Sequence, residues 1–176
     1  MRPIDFKEVQ RFRVWWAWLG VAALNAVGLM AIVQQVLLKK SFGPEPAPDY
    51  VLILVELVFL LVLFFLISIK LKTRLTDDGM YYRFYPFQFK EKHIAWHELK
   101  DAYIRQYNSL HEYGGWGIRI GGKKTGDAVN TSASSNRGLQ LQFTDGKLLL
   151  IGTTRPDELQ MIIDEVLSSG KINRAV

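Results

Sequence analysis

The chain has 176 residues, which is enough for one domain together with a membrane anchor. It contains no cysteine, so disulfides, thiol catalysis and cysteine-ligated metal sites are excluded. Its formal net charge of +5 is mild. That charge suits a domain beside an anionic membrane surface and falls short of the clustered basic stripe of a nucleic-acid-binding protein.

Two long apolar segments near the N-terminus predict a transmembrane hairpin over residues 14–69. At 1.5 Å per residue, both Val14–Leu38 and Tyr50–Ile69 are long enough to cross a hydrocarbon core of about 30 Å. A break with three prolines and a glycine, residues 39–49, permits a tight antiparallel return. The first segment is longer than the apolar part of a signal peptide and a second follows at once, so we expect a retained helix.

Positive charge in the short flanks predicts the orientation of this hairpin. Residues 1–13 form the N-terminal flank and contain four Lys or Arg residues, and three more follow the second helix, whereas the connecting loop has two. Positively charged flanks stay in the cytoplasm. We therefore expect a multi-pass protein of the inner (cytoplasmic) membrane with both termini in the cytoplasm. The expected partner is the lipid bilayer. Formation of a homo-oligomer through the hairpin is an alternative that the sequence does not decide.

Polar residues inside the spans are candidates for intramembrane contacts, because placing them in the hydrocarbon core costs free energy unless they are hydrogen-bonded. The candidates are Asn25, Gln35 and Glu56. In an antiparallel hairpin Glu56 is expected level with about Ile32, within one turn of Gln35. A Glu56–Gln35 hydrogen bond would fix the hairpin or a dimer. The alternatives are a proton or ion pathway and no role at all.

From residue 70 onward, short β-like runs alternate with turn signals and predict a cytoplasmic domain over residues 70–167 with about seven strands. The clearest hairpin joins Leu139–Phe143 to Lys147–Ile151 through Thr-Asp-Gly. A closing helix is predicted over residues 156–167, with proline at its start, acidic residues in its first turn and an apolar stripe. Residues 168–176 are expected to be a tail.

Three segments of this domain carry a family resemblance: Leu75-Thr-Asp-Asp-Gly-Met-Tyr-Tyr82, Ile94-Ala-Trp-His-Glu-Leu99 and Leu148-Leu-Leu-Ile-Gly-Thr153. Behind two N-terminal helices, they resemble the bacterial pleckstrin-homology-like (PH-like) proteins anchored in membranes. The resemblance implies a membrane α-hairpin plus an all-β, seven-stranded antiparallel barrel or sandwich capped by the C-terminal helix. It also implies a non-enzymatic binding or scaffolding module. The alternative is an accessory subunit of a membrane complex assembled through the hairpin.

Basic residues near one glycine-rich stretch are candidates for an anionic ligand or an acidic partner. The stretch Gly117–Lys124 approaches the spacing of a phosphate loop, but Lys124 stands where serine or threonine is needed, and an alternating strand occupies the loop position. We instead expect a strand running into a hairpin loop. The four cations that could then gather at one mouth of the barrel are Arg119, Lys123, Lys124 and Arg137.

Aromatic and histidine residues complete the candidates. Tyr113 and Trp116 stand among three glycines, which fits either a strand entry with a bulge or an exposed aromatic contact. His93 and His97 would share a metal on a helix. On the strand expected there they stand about 13 Å apart, as surface residues. No catalytic set, metal site, cofactor or nucleic-acid partner is predicted, and the protein partner stays unidentified.

Overall fold

The computed structural model describes residues 3–122, 125–131 and 136–172. They divide into two compact units. One is a helical unit, Val14–Ser68, and the other is a β unit formed by the chain on either side of it, Met1–Arg13 and Ile69–Val176. The β unit is therefore assembled from two segments that the helical unit separates in the sequence.

The helical unit consists of two apolar helices, as predicted. Helix α1 spans Trp15–Ile32 and continues as a π-helical turn, Val33–Leu37, and helix α2 spans Asp49–Ser68. By length and composition both can cross a membrane, which indicates membrane association. Their side chains are almost all apolar, so neither helix has the polar stripe of a helix packed on a soluble domain.

The β unit has nine strands in two sheets among its described residues. Sheet A is antiparallel in the order β1-β2-β3-β4, and sheet B has the order β5-β8-β9-β7-β6. Only the β7–β9 pair is parallel among the described strand pairs. The strands are β1 Phe6–Arg11, β2 Lys70–Leu75, β3 Gly79–Tyr85, β4 Lys92–Ala95, β5 Leu99–Gln106, β6 Gly117–Arg119, β7 Asp127–Asn130, β8 Arg137–Phe143 and β9 Leu148–Gly152.

The sheets correct the predicted count of seven strands, while the more specific PH-like fold stays a proposal. The described residues form nine strands, and the parallel β7–β9 pair departs from a purely antiparallel plan. A parallel pair needs a crossover connection. Here β8 lies between β7 and β9 in the sequence and pairs with the other edge of β9, which leaves one edge free for β7.

Strand β1 lies in the segment that the sequence suggests is only a charged flank. Its inward positions are Phe6, Glu8 and Gln10, all buried, while Val9 points outward and is 56% exposed. Because two of the three inward side chains are polar, the alternation does not look like a strand with one apolar face. The strand pairs with β2 along its whole length, from Phe6 opposite Leu75 to Arg11 opposite Lys70.

The core lies between the inner faces of the two sheets, and a C-terminal helix covers part of sheet B. Helix α4 spans Pro156–Ser168 and buries one apolar stripe, which confirms the predicted helix. It packs on β5 and β8, and Gln160 of α4 accepts a hydrogen bond from the Ile104 N–H (3.3 Å). The largest fully buried side chains are Phe6, Leu71, Leu75, Met80, Phe84, Leu99, Leu139, Leu141, Leu150, Ile151, Leu159 and Ile163.

Buried hydrogen bonds from β1 tie the two sheets together. The Glu8 carboxylate accepts from the Thr153 hydroxyl (2.8 Å) and from the Thr154 backbone N–H (2.7 Å). Gln10 donates to the Gly152 carbonyl at 2.6 Å. These contacts satisfy polar groups that would otherwise be costly inside a core. The polar inward residues of β1 therefore connect sheet A to the end of β9.

Candidate functional site

An aromatic cavity of about 350 Å³ lies at one end of sheet A in the β unit. That volume is at the lower end of the range for ligand sites. Most of its lining is apolar, and Arg119 is its only ionisable residue among the described part of the chain. The lining residues are Phe12, Ile69, Phe84, Phe87, Trp116, Gly117, Ile118, Arg119, Asn130 and Thr131.

Three strands and one loop bring the aromatic walls together. Phe12 extends the β1–β2 ladder by one residue, and its N–H donates to the Ile69 carbonyl at 3.4 Å. Trp116 meets the Phe12 ring edge-on, with centroids 6.4 Å apart and the planes at 76°. Phe84 of β3 stacks with Phe87, which follows that strand, at 5.8 Å. Both arrangements are favourable geometries for aromatic pairs.

Polar groups occupy only part of the cavity wall. Asn130 is fully buried, and neither of its side-chain amide atoms has a hydrogen-bond partner among the described residues. Thr131 donates through its hydroxyl to Gln10 (3.4 Å), and Arg119 donates through Nε to the Trp116 carbonyl (2.9 Å). The described wall offers no nucleophile with an adjacent base, so its chemistry suits binding of an apolar group.

Of the two predicted aromatic contacts, the cavity uses one. Trp116 is half-buried in its wall. Tyr113 is buried at 8% exposure, so it forms no exposed contact. Its hydroxyl accepts from Arg105 Nη2 (2.8 Å) and donates to the Thr125 carbonyl (3.1 Å). Burial raises the pKa of Tyr113 above its ordinary value, and the phenol stays neutral.

Tyr113 is buried because it lies at the end of a short helix within residues 108–115. Helix α3 spans Ser109–Tyr113, its N-cap Asn108 accepts from two backbone N–H groups, and Gly114 ends it with φ of 67°. Arg105 fixes α3 to sheet B through Glu112 at 2.7 Å. Asparagine at the start and glycine after the end are ordinary helix signals, so this helix was readable from the sequence.

The two described members of the predicted basic cluster, Arg119 and Arg137, lie on separate strands of sheet B. Arg119 is in β6 and Arg137 is in β8, and β7 and β9 lie between them, which separates the strands by about 14 Å. Arg137 pairs instead with Asp157 at the start of α4, at 2.8 Å. Lys123 and Lys124 lie outside the described residues. Sequence distance along a glycine-rich stretch was a poor guide because it ignores strand order.

The polar residues of the helical unit are arranged differently from the expected pair. Gln35 donates to the Ala47 carbonyl (2.6 Å) and to Asp49 (2.8 Å), so it holds the turn between the helices. Glu56 is 3% exposed and has no hydrogen-bond partner among the described residues. The expected Glu56–Gln35 hydrogen bond therefore does not form within the chain. Asn25, 6% exposed, donates to the carbonyl one turn earlier, at Val21 (2.7 Å).

Glu56 lies against Gly28, one turn nearer the N-terminus of α1 than expected. A Cβ built on Gly28 would clash with Glu56 Oε2. Between α1 and the loop the chain makes a π-helical turn, Val33–Leu37, which has more residues per turn than an α-helix and accounts for part of this shift. Gly28 therefore makes room for the carboxyl group.

The two neighbouring histidines occupy the surface of the β unit. His93 is in β4, stacks on Tyr81 at 4.3 Å between ring centroids, and stands 3.4 Å from Asp78. His97 is exposed in a 3₁₀ turn, Trp96–Glu98. The described residues contain no cluster of three or more His, Asp or Glu side chains placed to hold a metal ion.

Sequence reasoning missed most of the cavity because its walls come from separate segments. Phe12 lies in the predicted flank and Ile69 at the end of the predicted second helix, whereas Phe84 belongs to β3. The one available signal was the crowding of aromatic residues at the ends of predicted elements, next to Trp116. Comparison of the chain with models of known protein families and with curated proteins gives no match.

Proposed function

We propose that the chain is a membrane-anchored, non-enzymatic binding module. In this proposal the hairpin crosses the inner membrane, both termini are cytoplasmic, and a PH-like β unit is presented at the cytoplasmic surface to scaffold a partner. The proposal is supported by the two apolar helices, the C-terminal helix on sheet B and the family resemblance of the sequence.

One observation carries the proposal: two neighbouring strands of sheet A lead directly into the two apolar helices. Only three residues separate the end of β1, Arg11, from the start of α1, Trp15, and only Ile69 separates α2 from β2. Consecutive Cα atoms are 3.8 Å apart, so such connections reach only a few ångströms. A β unit held twice in this way stays at the membrane surface, where binding concentrates a partner.

The aromatic cavity is the binding site in this proposal, because apolar walls with few polar groups are typical of recognition sites. We infer that it takes an apolar or aromatic side chain of a protein partner. Purification of the full chain in mild detergent, with identification of co-purifying proteins, tests this. Trp116→Ala and Ile118→Asp should each reduce recovery of the partner at least tenfold. Tyr103→Ala, an exposed aromatic residue of β5 away from the cavity, is the matched control.

The orientation is tested with single cysteines, since the chain has none of its own. Glu45→Cys marks the loop between the helices, and Asp145→Cys marks the turn between β8 and β9. A membrane-impermeant maleimide should label only Glu45→Cys in intact spheroplasts and label Asp145→Cys after lysis. Labelling of Asp145→Cys before lysis would refute the cytoplasmic placement.

A second candidate function is an accessory subunit of a membrane complex assembled through the hairpin. It is favoured by the polar groups of the helical unit: both oxygens of Glu56 and the amide oxygen of Asn25 lack a hydrogen-bond partner among the described residues. Unsatisfied polar atoms are costly in lipid, so a donor from another helix would stabilise them. If this function applies, Glu56→Ala should release the partner while Trp116→Ala should not.

A further inference from the structure

The outer face of sheet A places positive charges opposite one another. Arg11 of β1 lies directly across from Lys70 of β2. In the next row Lys72 of β2 lies across from Arg83 of β3. Like charges directly opposite on neighbouring strands destabilise a sheet. The stability of the fold therefore gives no reason for this arrangement. A negatively charged partner would reduce the repulsion between these cations.

The carboxylates of this face stand at one end of the strands and the uncompensated cations at the other. Lys7 pairs with Asp5 at 2.8 Å, and Arg74 pairs with Glu91 at 3.5 Å. Both pairs lie at the end of the β1–β2 ladder remote from Arg11 and Lys70. The remaining cations, which form no ion pair with a described residue, are Arg11, Lys70, Lys72 and Arg83.

One aromatic ring gathers three of these cations. The Arg83 guanidinium stands 3.9 Å from the centroid of the Tyr85 ring, and the ammonium groups of Lys70 and Lys72 stand 4.7 and 5.8 Å from it. A ring attracts cations through its quadrupole. It brings no net negative charge, so the cluster stays cationic and is held in place before any ligand arrives.

The cationic end of the sheet is also the end that continues into the apolar helices. Arg11 precedes the first residue of α1, Trp15, by four positions, and Lys70 follows the last residue of α2, Ser68, by two. Strand β3 ends at this same end, because Tyr85 is paired with Lys70.

The turn that leaves β3 at this end exposes two phenylalanines. Phe87 is 59% exposed, and Phe89 is 83% exposed. Arg83 Nε donates to the Gln88 carbonyl at 3.0 Å, which holds this turn beside the cations. Phenylalanine flanked by lysine and arginine is the composition of a surface that enters the boundary between lipid headgroups and acyl chains.

We propose that this end of sheet A docks onto an anionic lipid bilayer. The docking surface consists of Arg11, Lys70, Lys72, Arg83, Phe87 and Phe89. Phe89 enters the headgroup boundary, and the four cations bind lipid phosphates or other anionic headgroup oxygens. This inference rests on the proposed membrane anchorage and adds to it a preference for negatively charged lipid. Docking would also orient the aromatic cavity, since Phe87 belongs to both.

The charge of the lipid decides between docking and simple tethering. Each Lys or Arg near an anionic surface contributes about 1 kcal/mol, so loss of two cations lowers the ratio of docked to undocked β units about 30-fold. The attraction is screened within roughly 8 Å at physiological ionic strength. A tethered but undocked β unit would respond to neither lipid charge nor salt.

The test uses the full chain in lipid nanodiscs with an environment-sensitive nitrobenzoxadiazole label on Lys90→Cys, next to Phe89. In discs with 30% phosphatidylglycerol we expect a brighter, blue-shifted label than in pure phosphatidylcholine discs, and 0.5 M NaCl should reverse the change. Lys70→Gln/Lys72→Gln should abolish the response to phosphatidylglycerol, and Phe89→Ser should abolish the blue shift. Lys100→Gln/Lys147→Gln, which removes two exposed cations elsewhere, should retain both.

A label that responds equally in neutral and anionic discs would overturn the inference, as would a full response in Lys70→Gln/Lys72→Gln. An acidic protein partner on this face would leave the label insensitive to lipid charge. The cysteine-accessibility experiment separates this failure from failure of the proposed function. If Glu45→Cys and Asp145→Cys label as expected while the nanodisc response is absent, the anchored module stands and only the docking surface is wrong.

Discussion

At the scale of single residues, Glu8 is the side chain on which the joining of the two sheets most depends. It is 5% exposed, and its carboxylate accepts from both hydroxyl and backbone donors at Thr153 and Thr154. Hydrogen bonds to a charged group contribute about 1.5–3 kcal/mol each, with incomplete additivity. The residue that made β1 hard to recognise in the sequence is thus the residue that attaches β1 to sheet B.

We expect Glu8→Ala to lower the free energy of unfolding by about 3 kcal/mol, because it removes the carboxylate that accepts from the buried Thr153 hydroxyl and from the Thr154 backbone N–H. Thermal or denaturant unfolding of the full chain in detergent measures this. Val9→Ala is the control, since Val9 points outward on the same strand, and should change the free energy by less than about 0.5 kcal/mol. Equal effects of the two substitutions would contradict the role given to Glu8.

A second prediction at this scale concerns acid stability at the β2–β3 turn. Hydrogen bonds from the Thr76 and Tyr81 hydroxyls lower the pKa of Asp78 from its ordinary value of 3.8 to about 2. A lowered pKa means that the folded state favours the charged carboxylate, so its contribution is present above pH 4 and is lost as the pH falls toward 2. Asp78→Asn should flatten the fall in unfolding temperature over that range.

Thr76→Val provides the graded version of this experiment. It removes the hydrogen bond that lowers the pKa of Asp78 most. The fall in stability with acid should then be smaller and end at a higher pH, without disappearing as in Asp78→Asn. A profile of Thr76→Val that superimposes on the wild type between pH 2 and pH 5 would show that the turn does not control acid stability.

At the scale of elements, the helical unit depends on a small residue facing an acidic one. Gly28 of α1 leaves the space that the Glu56 side chain of α2 fills. Gly28→Ala should weaken helix pairing by about 1–3 kcal/mol, the usual range for overpacking. Gly20→Ala is the matched control, because a Cβ there meets nothing within 4 Å. The unfolding temperature in mild detergent reports the difference.

A double-mutant cycle of Gly28→Ala and Glu56→Ala identifies why Gly28→Ala weakens helix pairing. Adding Glu56→Ala to Gly28→Ala removes the carboxyl group that the new methyl would strike, so stability should recover relative to Gly28→Ala alone. Non-additivity of this kind is expected only for groups in contact. If the two changes are additive, Gly28 acts through the conformation of α1 and not through Glu56.

The elements also differ in how well local sequence signals predict them. Strand β8 alternates strictly and is followed by Thr-Asp-Gly, and α4 carries proline, acidic residues and an apolar stripe in order, so local signals were sufficient. Strand β1 buries Glu8 and Gln10 because partners 145 and 142 residues later form hydrogen bonds with them. No local pattern reports such partners. The cavity shares this limit, since its walls meet only after the strands are ordered.

At the scale of the whole molecule, the sequence order imposes a constraint on assembly. Strand β1 is made before the helices and β2 after them, yet they are neighbours in sheet A. Without β1, the edge of β2 would expose unpaired backbone groups, and the Glu8 and Gln10 contacts to sheet B would be lost. The β unit thus requires both segments of the chain.

This constraint predicts which parts of the chain fold without the membrane helices. The Phe12 N–H donates to the Ile69 carbonyl just beyond the last pair of the β1–β2 ladder, so a two-residue turn can join these positions. A chain of residues 3–12 joined through Asn-Gly to residues 69–176 should therefore be soluble and unfold cooperatively. Residues 69–176 alone should aggregate or unfold at least 10 °C lower, by circular dichroism and size-exclusion chromatography.

Glu8→Ala in the fused chain should remove most of this difference in stability, because it detaches β1 from sheet B. If residues 69–176 alone are monomeric and equally stable, β1 is an accessory strand and the two units are independent in assembly.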